Sequence, residues 1–115
     1  MQTAAIVLAV AALGGLGMAT IRLFGIPRPP TWVALGHGAI AVAGLGLLIH
    51  AAATTGIPPL AQLALGMFLL ATAGGATLFL GFHLREKALP MTLVLGHGLL
   101  ALTGVILLMI ATWGS

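Results

Sequence analysis

His37 lies in Leu35-Gly36-His37-Gly38, and His97 lies in Leu95-Gly96-His97-Gly98, 60 residues further on. An imidazole can ligate a metal, carry a proton near neutral pH, or donate a hydrogen bond. Each of these two stands in an uncharged stretch long enough to cross a bilayer, where an ionisable side chain is costly and marks a function by default. There is no cysteine, so disulfides, thiolate metal sites and iron–sulfur ligation are excluded, and histidine, methionine and backbone atoms are the ligands that remain. Glu86 is the sole acidic residue, and neither a carboxylate pair nor a nucleophile–base pair is present.

The elements that must position the two imidazoles follow from composition. Of 115 residues, 61% are hydrophobic and 4% charged, far from the balance of a soluble domain. A hydrocarbon core roughly 30 Å thick needs about 20 apolar residues per helix. Four such runs are found, at about 3–23, 31–53, 60–84 and 89–113. They are separated by Phe24–Pro30 with its three prolines, by the uncharged Thr54–Pro59, and by Arg85-Glu86-Lys87. The first run lacks the positively charged start of a secretory signal and reads as a retained helix. These observations predict an all-α integral membrane protein, a single four-helix transmembrane domain over residues 1–115. With no room for a soluble catalytic domain, the chain reads as no enzyme in its own right, at most an accessory subunit of a membrane oxidoreductase.

The net charge of +3 arises from Arg22, Arg28, Arg85 and Lys87 against Glu86. That is too little charge, too near the spans, for nucleic-acid binding. No basic residue lies between the second and third runs, so the positive-inside rule places loops 24–30 and 85–88 in the cytoplasm and both termini outside, as expected for a bacterial inner-membrane protein. Trp32 and Trp113 fall at span ends, where indoles favour the interface.

Residues 30–51 align with 90–111 without a gap. Pro30, Leu35, Gly36, His37, Gly38, Ala41, Gly44, Leu47, Leu48 and Ala51 all recur at an offset of 60, ten identities in 22 positions, where composition alone would give about three. In the other two runs the offset matches only Gln2, Ala4, Ala11, Gly14 and Gly15 with their partners 60 residues later. The expectation is a parallel internal repeat of two tandem helical hairpins, with halves of about 1–56 and 57–115 and a pseudo-twofold axis along the membrane normal. His37, Ala41, Gly44, Leu48 and Ala51 are spaced by 4, 3, 4 and 3 residues, which traces one helical face. The same stripe returns as His97, Ala101, Gly104, Leu108 and Ala111. Its small residues, with Gly36, Gly38, Gly96 and Gly98 beside the histidines, allow close approach of a helix or a flat ligand.

Two neutral imidazoles on facing helices can supply both axial ligands of a haem iron. In this respect the chain resembles the four-helix core of membrane cytochrome b proteins, where glycine-flanked histidines on the second and fourth helices hold b-type haem. The resemblance covers mainly Leu35–Ala51 and Leu95–Ala111. It implies haem b on His37 and His97, lined by Gly36, Gly38, Ala41, Gly44, Gly96, Gly98, Ala101 and Gly104, with a quinone as a further ligand. His50 follows His37 by 13 residues, about 140° around the helix, and its counterpart is Ile110, so a second symmetric haem site is not expected. His50 is a secondary candidate with Met67 or Met109 as a soft partner. His83 is another, expected to be solvated at the interface or to meet a quinone headgroup. The four cations serve as topology markers and attract anionic lipid, or act as partners for haem propionates.

The functional expectation is a small electron-transfer subunit working with larger redox partners in the membrane. The alternative is a structural or assembly subunit whose histidines make only internal hydrogen bonds. Behind these stand a pigment-binding subunit, with chlorins on single histidines, and a small proton-coupled transporter, disfavoured by the lack of any carboxylate within the spans.

Overall fold

The computed structural model describes residues 1–114. Its elements are α1 (Gln2–Leu23), α2 (Thr31–Thr54), α3 (Pro59–Leu78), which continues through a π-helical turn at Phe79–His83, and α4 (Met91–Trp113). All four helices are long and apolar enough to cross a membrane. The longest dimension, 42 Å, exceeds the roughly 30 Å of a hydrocarbon core.

Proline and glycine set the boundaries. Pro30, Pro58 and Pro90 are the cap residues ahead of α2, α3 and α4, positions where a missing N–H costs nothing. Gly25 and Gly56 take φ of 92° and 76° just beyond α1 and α2, a left-handed conformation that is cheap only without a Cβ. The four apolar runs correspond to the helices to within a residue or two. The larger difference is at the end of the third, where the Leu84 N–H reaches back five residues to the Phe79 carbonyl at 2.9 Å. This widened turn stacks the rings of Phe79 and His83, with centres 5.3 Å apart and planes at 16°.

α1 packs on α2 and α3 on α4, giving two hairpins; α1 also lies against α4, α2 meets α3 sparsely, and α2 and α4 face each other across the diagonal. The main core gathers Ala4, Ala5, Leu8, Leu48, Ala61, Ala64, Phe68, Val105 and Leu108, away from the charged turns. Glycine makes this approach possible: a Cβ on Gly44 would stand 2.7 Å from Leu8 Cγ, and one on Gly104 would stand 2.9 Å from Phe68 Cε1. Leu8 and Phe68 are themselves 60 residues apart, so the same helix contact occurs in each hairpin. A smaller core of Leu78, Leu89 and Val94 sits toward the charged turns. The histidines occupy the layer between the two.

Candidate functional site

α2 and α4 carry His37 and His97 into this middle layer, where their ring centres are 6.3 Å apart and their planes lie at 87°. Each ring is anchored to the other helix of its own hairpin. His37 Nδ1 lies 2.8 Å from the Ala11 carbonyl oxygen and His97 Nδ1 lies 2.6 Å from that of Ala71. A carbonyl only accepts, so Nδ1 must carry the proton and donate in both cases. In a neutral imidazole the lone pair is then on Nε2, the nitrogen that the fold leaves without a protein hydrogen bond. A ring whose Nδ1–H is held by a backbone carbonyl while Nε2 is free is the usual arrangement of a metal-ligating histidine.

The anchoring bond depends on glycine. On an α-helix a side chain leans toward the N-terminus and covers the turn before it, so the residue four positions after Ala11 would ordinarily shield the Ala11 carbonyl. That residue is Gly15, and a Cβ there would stand 3.0 Å from His37 Cε1. Gly75 stands in the same relation to Ala71, with a Cβ again 3.0 Å from His97 Cε1. A Cβ on Gly14 would stand 3.8 Å from His37 Nδ1 and one on Gly74 3.6 Å from His97 Cβ, a looser fit. Ala11, Gly14 and Gly15 are among the few α1 residues that recur in α3, so the faint similarity between those helices corresponds to the wall against which the imidazoles rest. In the amino-acid order these glycines stand out only as matches at an offset of 60.

The other expected lining residues divide. Gly44 and Gly104 are buried, but against Leu8 and Phe68 in the main core rather than against a ring. Ala41 and Ala101, one turn along from the histidines, are partly buried. Gly36, Gly38, Gly96 and Gly98 have open space where a Cβ would be, so the bulk they omit is not bulk beside the imidazoles. His50 is exposed at the uncharged end, in an open cleft with Met1, Thr3, Leu47 and Thr54; neither Met67 nor Met109 lines that cleft. Among the described residues no group of three or more His, Asp or Glu side chains converges as a metal site.

His83 departs from the expectation of a solvated interfacial side chain. It is 3% exposed, because the π-helical turn folds it inward against Phe79 and toward the start of α2. Its Nε2 lies 3.0 Å from Thr31 Oγ1, while Nδ1 is buried without a partner. An unpaired lone pair is tolerated better in a protein interior than an unpaired N–H, so Nε2–H donates to Thr31 and Nδ1 holds the lone pair. Around it the two charged turns are clasped: Arg28 Nη1 donates to the His83 carbonyl at 3.0 Å, Arg22 Nε donates to the Leu89 carbonyl at 2.9 Å, and the Leu89 N–H donates to the Pro27 carbonyl at 3.1 Å. Two of the four cations thus bind one hairpin to the other, a role no spacing pattern announced. Arg85 and Lys87 are exposed.

Comparison of the chain with protein-family models, with curated proteins and with solved structures finds no match.

Proposed function

We propose that this chain crosses a bilayer four times as two duplicated hairpins and acts as a small electron-transfer subunit, with b-type haem held between His37 and His97. The observation that carries the reading is the pair of imidazoles with Nδ1–H anchored and Nε2 free, 6.3 Å between ring centres. What suits a bis-histidine group is the donor set: two imidazoles near one another, each with Nδ1–H held by a carbonyl and Nε2 left to bind. Gly15 and Gly75 wall the layer, and both histidines are partly exposed.

Bound haem would supply reversible one-electron chemistry. The protein's part is to fix both imidazoles in one tautomer through Ala11 and Ala71, to enclose the group in apolar surroundings that set its potential, and to keep charge at one end. With the charged turns in the cytoplasm and both termini outside, the histidine layer lies about 9 Å along α2 from Thr31, at six residues of 1.5 Å each. With charge confined to so few side chains, electron entry and exit would fall to larger partners in a bacterial inner membrane, with a quinone as an acceptor. A reduced-minus-oxidised spectrum of detergent-purified protein should show a b-type band, and pyridine extraction should recover haem at one per chain. A colourless protein that takes up no haem on reconstitution would overturn the assignment.

A second reading, a structural subunit of a membrane complex, is favoured by one specific observation: the Ala11 and Ala71 bonds already tie each hairpin together without any ligand. Stable co-purification with other membrane subunits in the absence of any chromophore would support it over the first.

A further inference from the structure

We propose that the open cleft beside the first charged turn, walled by Ile21, Ile26, Pro27, Arg28 and Thr31, binds the phosphate headgroup of an anionic phospholipid. The inference rests on the bilayer-spanning reading and is independent of haem.

Arg28 is held in place by its hydrogen bond to the His83 carbonyl. That bond uses one of five guanidinium N–H donors and leaves the charge unneutralised, because a carbonyl is neutral. The chain's sole acid, Glu86, is exposed on the other turn. Beside Arg28 stands Thr31. Since His83 Nε2–H donates to Thr31 Oγ1, the hydroxyl's own proton is not used in that bond and is free for the cleft. The site therefore offers guanidinium donors and one hydroxyl donor, with no acidic side chain among the lining residues. Guanidinium forks match phosphate geometry, with two parallel N–H···O bonds.

The remaining walls are apolar, and the cleft volume of 510 Å³ falls within the roughly 300–1,000 Å³ of small-molecule sites. Ile26 in its wall is exposed, as are Phe24 and Trp32, which neighbour the lining residues along the chain. Aromatic side chains favour the headgroup level, and basic pockets at a membrane surface bind anionic lipid headgroups. An amphiphile with a phosphate satisfies the donors and covers the apolar walls together, whereas free phosphate satisfies only the first. Arg85 and Lys87, exposed on the opposite turn, separate a built site from diffuse attraction.

The test uses the full chain in nanodiscs of phosphatidylcholine with increasing phosphatidylglycerol, with retained lipid counted by native mass spectrometry. Wild-type protein should retain one phosphatidylglycerol in preference to phosphatidylcholine. Arg28→Gln should weaken that retention by about tenfold, as for loss of a charged hydrogen-bonding partner, Arg28→Lys by less, and Arg85→Gln should leave it unchanged. Circular dichroism of each variant checks folding, and Arg28→Lys keeps a donor for the His83 carbonyl if Arg28→Gln unfolds. Equal loss with Arg28→Gln and Arg85→Gln would overturn the site in favour of diffuse attraction. Displacement of the lipid by millimolar inorganic phosphate would overturn lipid as the occupant. Failure of the chain to enter the nanodisc at all would overturn the bilayer reading, before any lipid is counted.

Discussion

The histidine layer and the clasp at the charged turns are built on opposite plans. In the layer every contact occurs twice: His37 on Ala11 and Gly15, His97 on Ala71 and Gly75. Each of those bonds stays within one hairpin. In the clasp every contact occurs once, and each joins one hairpin to the other: Arg22 to Leu89, Arg28 to His83, Thr31 to His83, Leu89 to Pro27. The counterparts at the 60-residue offset are Phe82 for Arg22, Ala88 for Arg28, Met91 for Thr31 and Leu23 for His83, none of which can repeat the bond. Two similar halves meeting about a twofold axis would make every joining contact in duplicate. A set of single, directional bonds instead specifies which hairpin plays which part. Bonds that shape a hairpin are common to both halves; bonds that pair the hairpins are particular to one.

The sharpest way to separate the two regions is to remove a histidine from each. His37→Ala and His97→Ala should each abolish bound chromophore completely, since neither ring alone supplies two axial ligands, whereas His83→Ala should leave the spectrum intact. Loss of colour in His83→Ala at unchanged helix content would move the site from the middle layer to the clasp.

Next in size are the glycine walls. Gly15→Ala and Gly75→Ala place a methyl group 3.0 Å from an imidazole carbon in each hairpin. Overpacking of this kind costs about 1–3 kcal/mol, and it should displace the ring from its carbonyl. Both variants should show the same fall in thermal midpoint and the same change in the reduced band. Unequal effects would show that the two histidine environments are not equivalent.

In the clasp, Thr31→Val removes the partner of His83 Nε2–H and leaves a second buried ring nitrogen unpaired, at a cost of about 1–3 kcal/mol. Adding His83→Phe removes the unpaired groups altogether and should recover most of that loss, while the Arg28 bond to the backbone carbonyl of residue 83 persists. Denaturant unfolding of the two single variants and the double variant measures this, and a double variant as unstable as the sum of the singles would refute it. The smallest effect belongs to the flanking glycines. Gly36→Ala, Gly38→Ala, Gly96→Ala and Gly98→Ala meet open space, so each should leave the spectrum unchanged and shift stability by no more than about 1 kcal/mol, toward greater stability through helix propensity.

Much of the architecture is legible in the amino-acid order. Four apolar runs, interrupted by proline clusters or charge, correspond to the four helices, because in so apolar a chain only a helix satisfies the backbone over that length. The proximity of His37 and His97 is legible too, from their equal positions on matching stripes. What holds them is not. The acceptors are the carbonyls of Ala11 and Ala71, and a backbone oxygen has no letter of its own; the only trace was a short set of matches around Gly14-Gly15 and Gly74-Gly75, too few to interpret before their neighbours were known. Gly36, Gly38, Gly96 and Gly98 illustrate the reverse. Adjacency along a helix places successive side chains about 100° apart, so residues next to a histidine in sequence point away from what it touches.

The sequence by itself determined the helices, their breaks, the segregation of charge to two turns and the equivalence of the two histidine positions, because hydrophobic length, proline chemistry and a 60-residue offset are all local or linear properties. Only the tertiary structure decided which nitrogen of each imidazole is left free, that Gly15 and Gly75 rather than the flanking glycines make room for the rings, and that His83 is buried in a clasp instead of solvated. Each of those depends on where one helix lies against another, and distances across a bundle are set by packing that no single segment encodes.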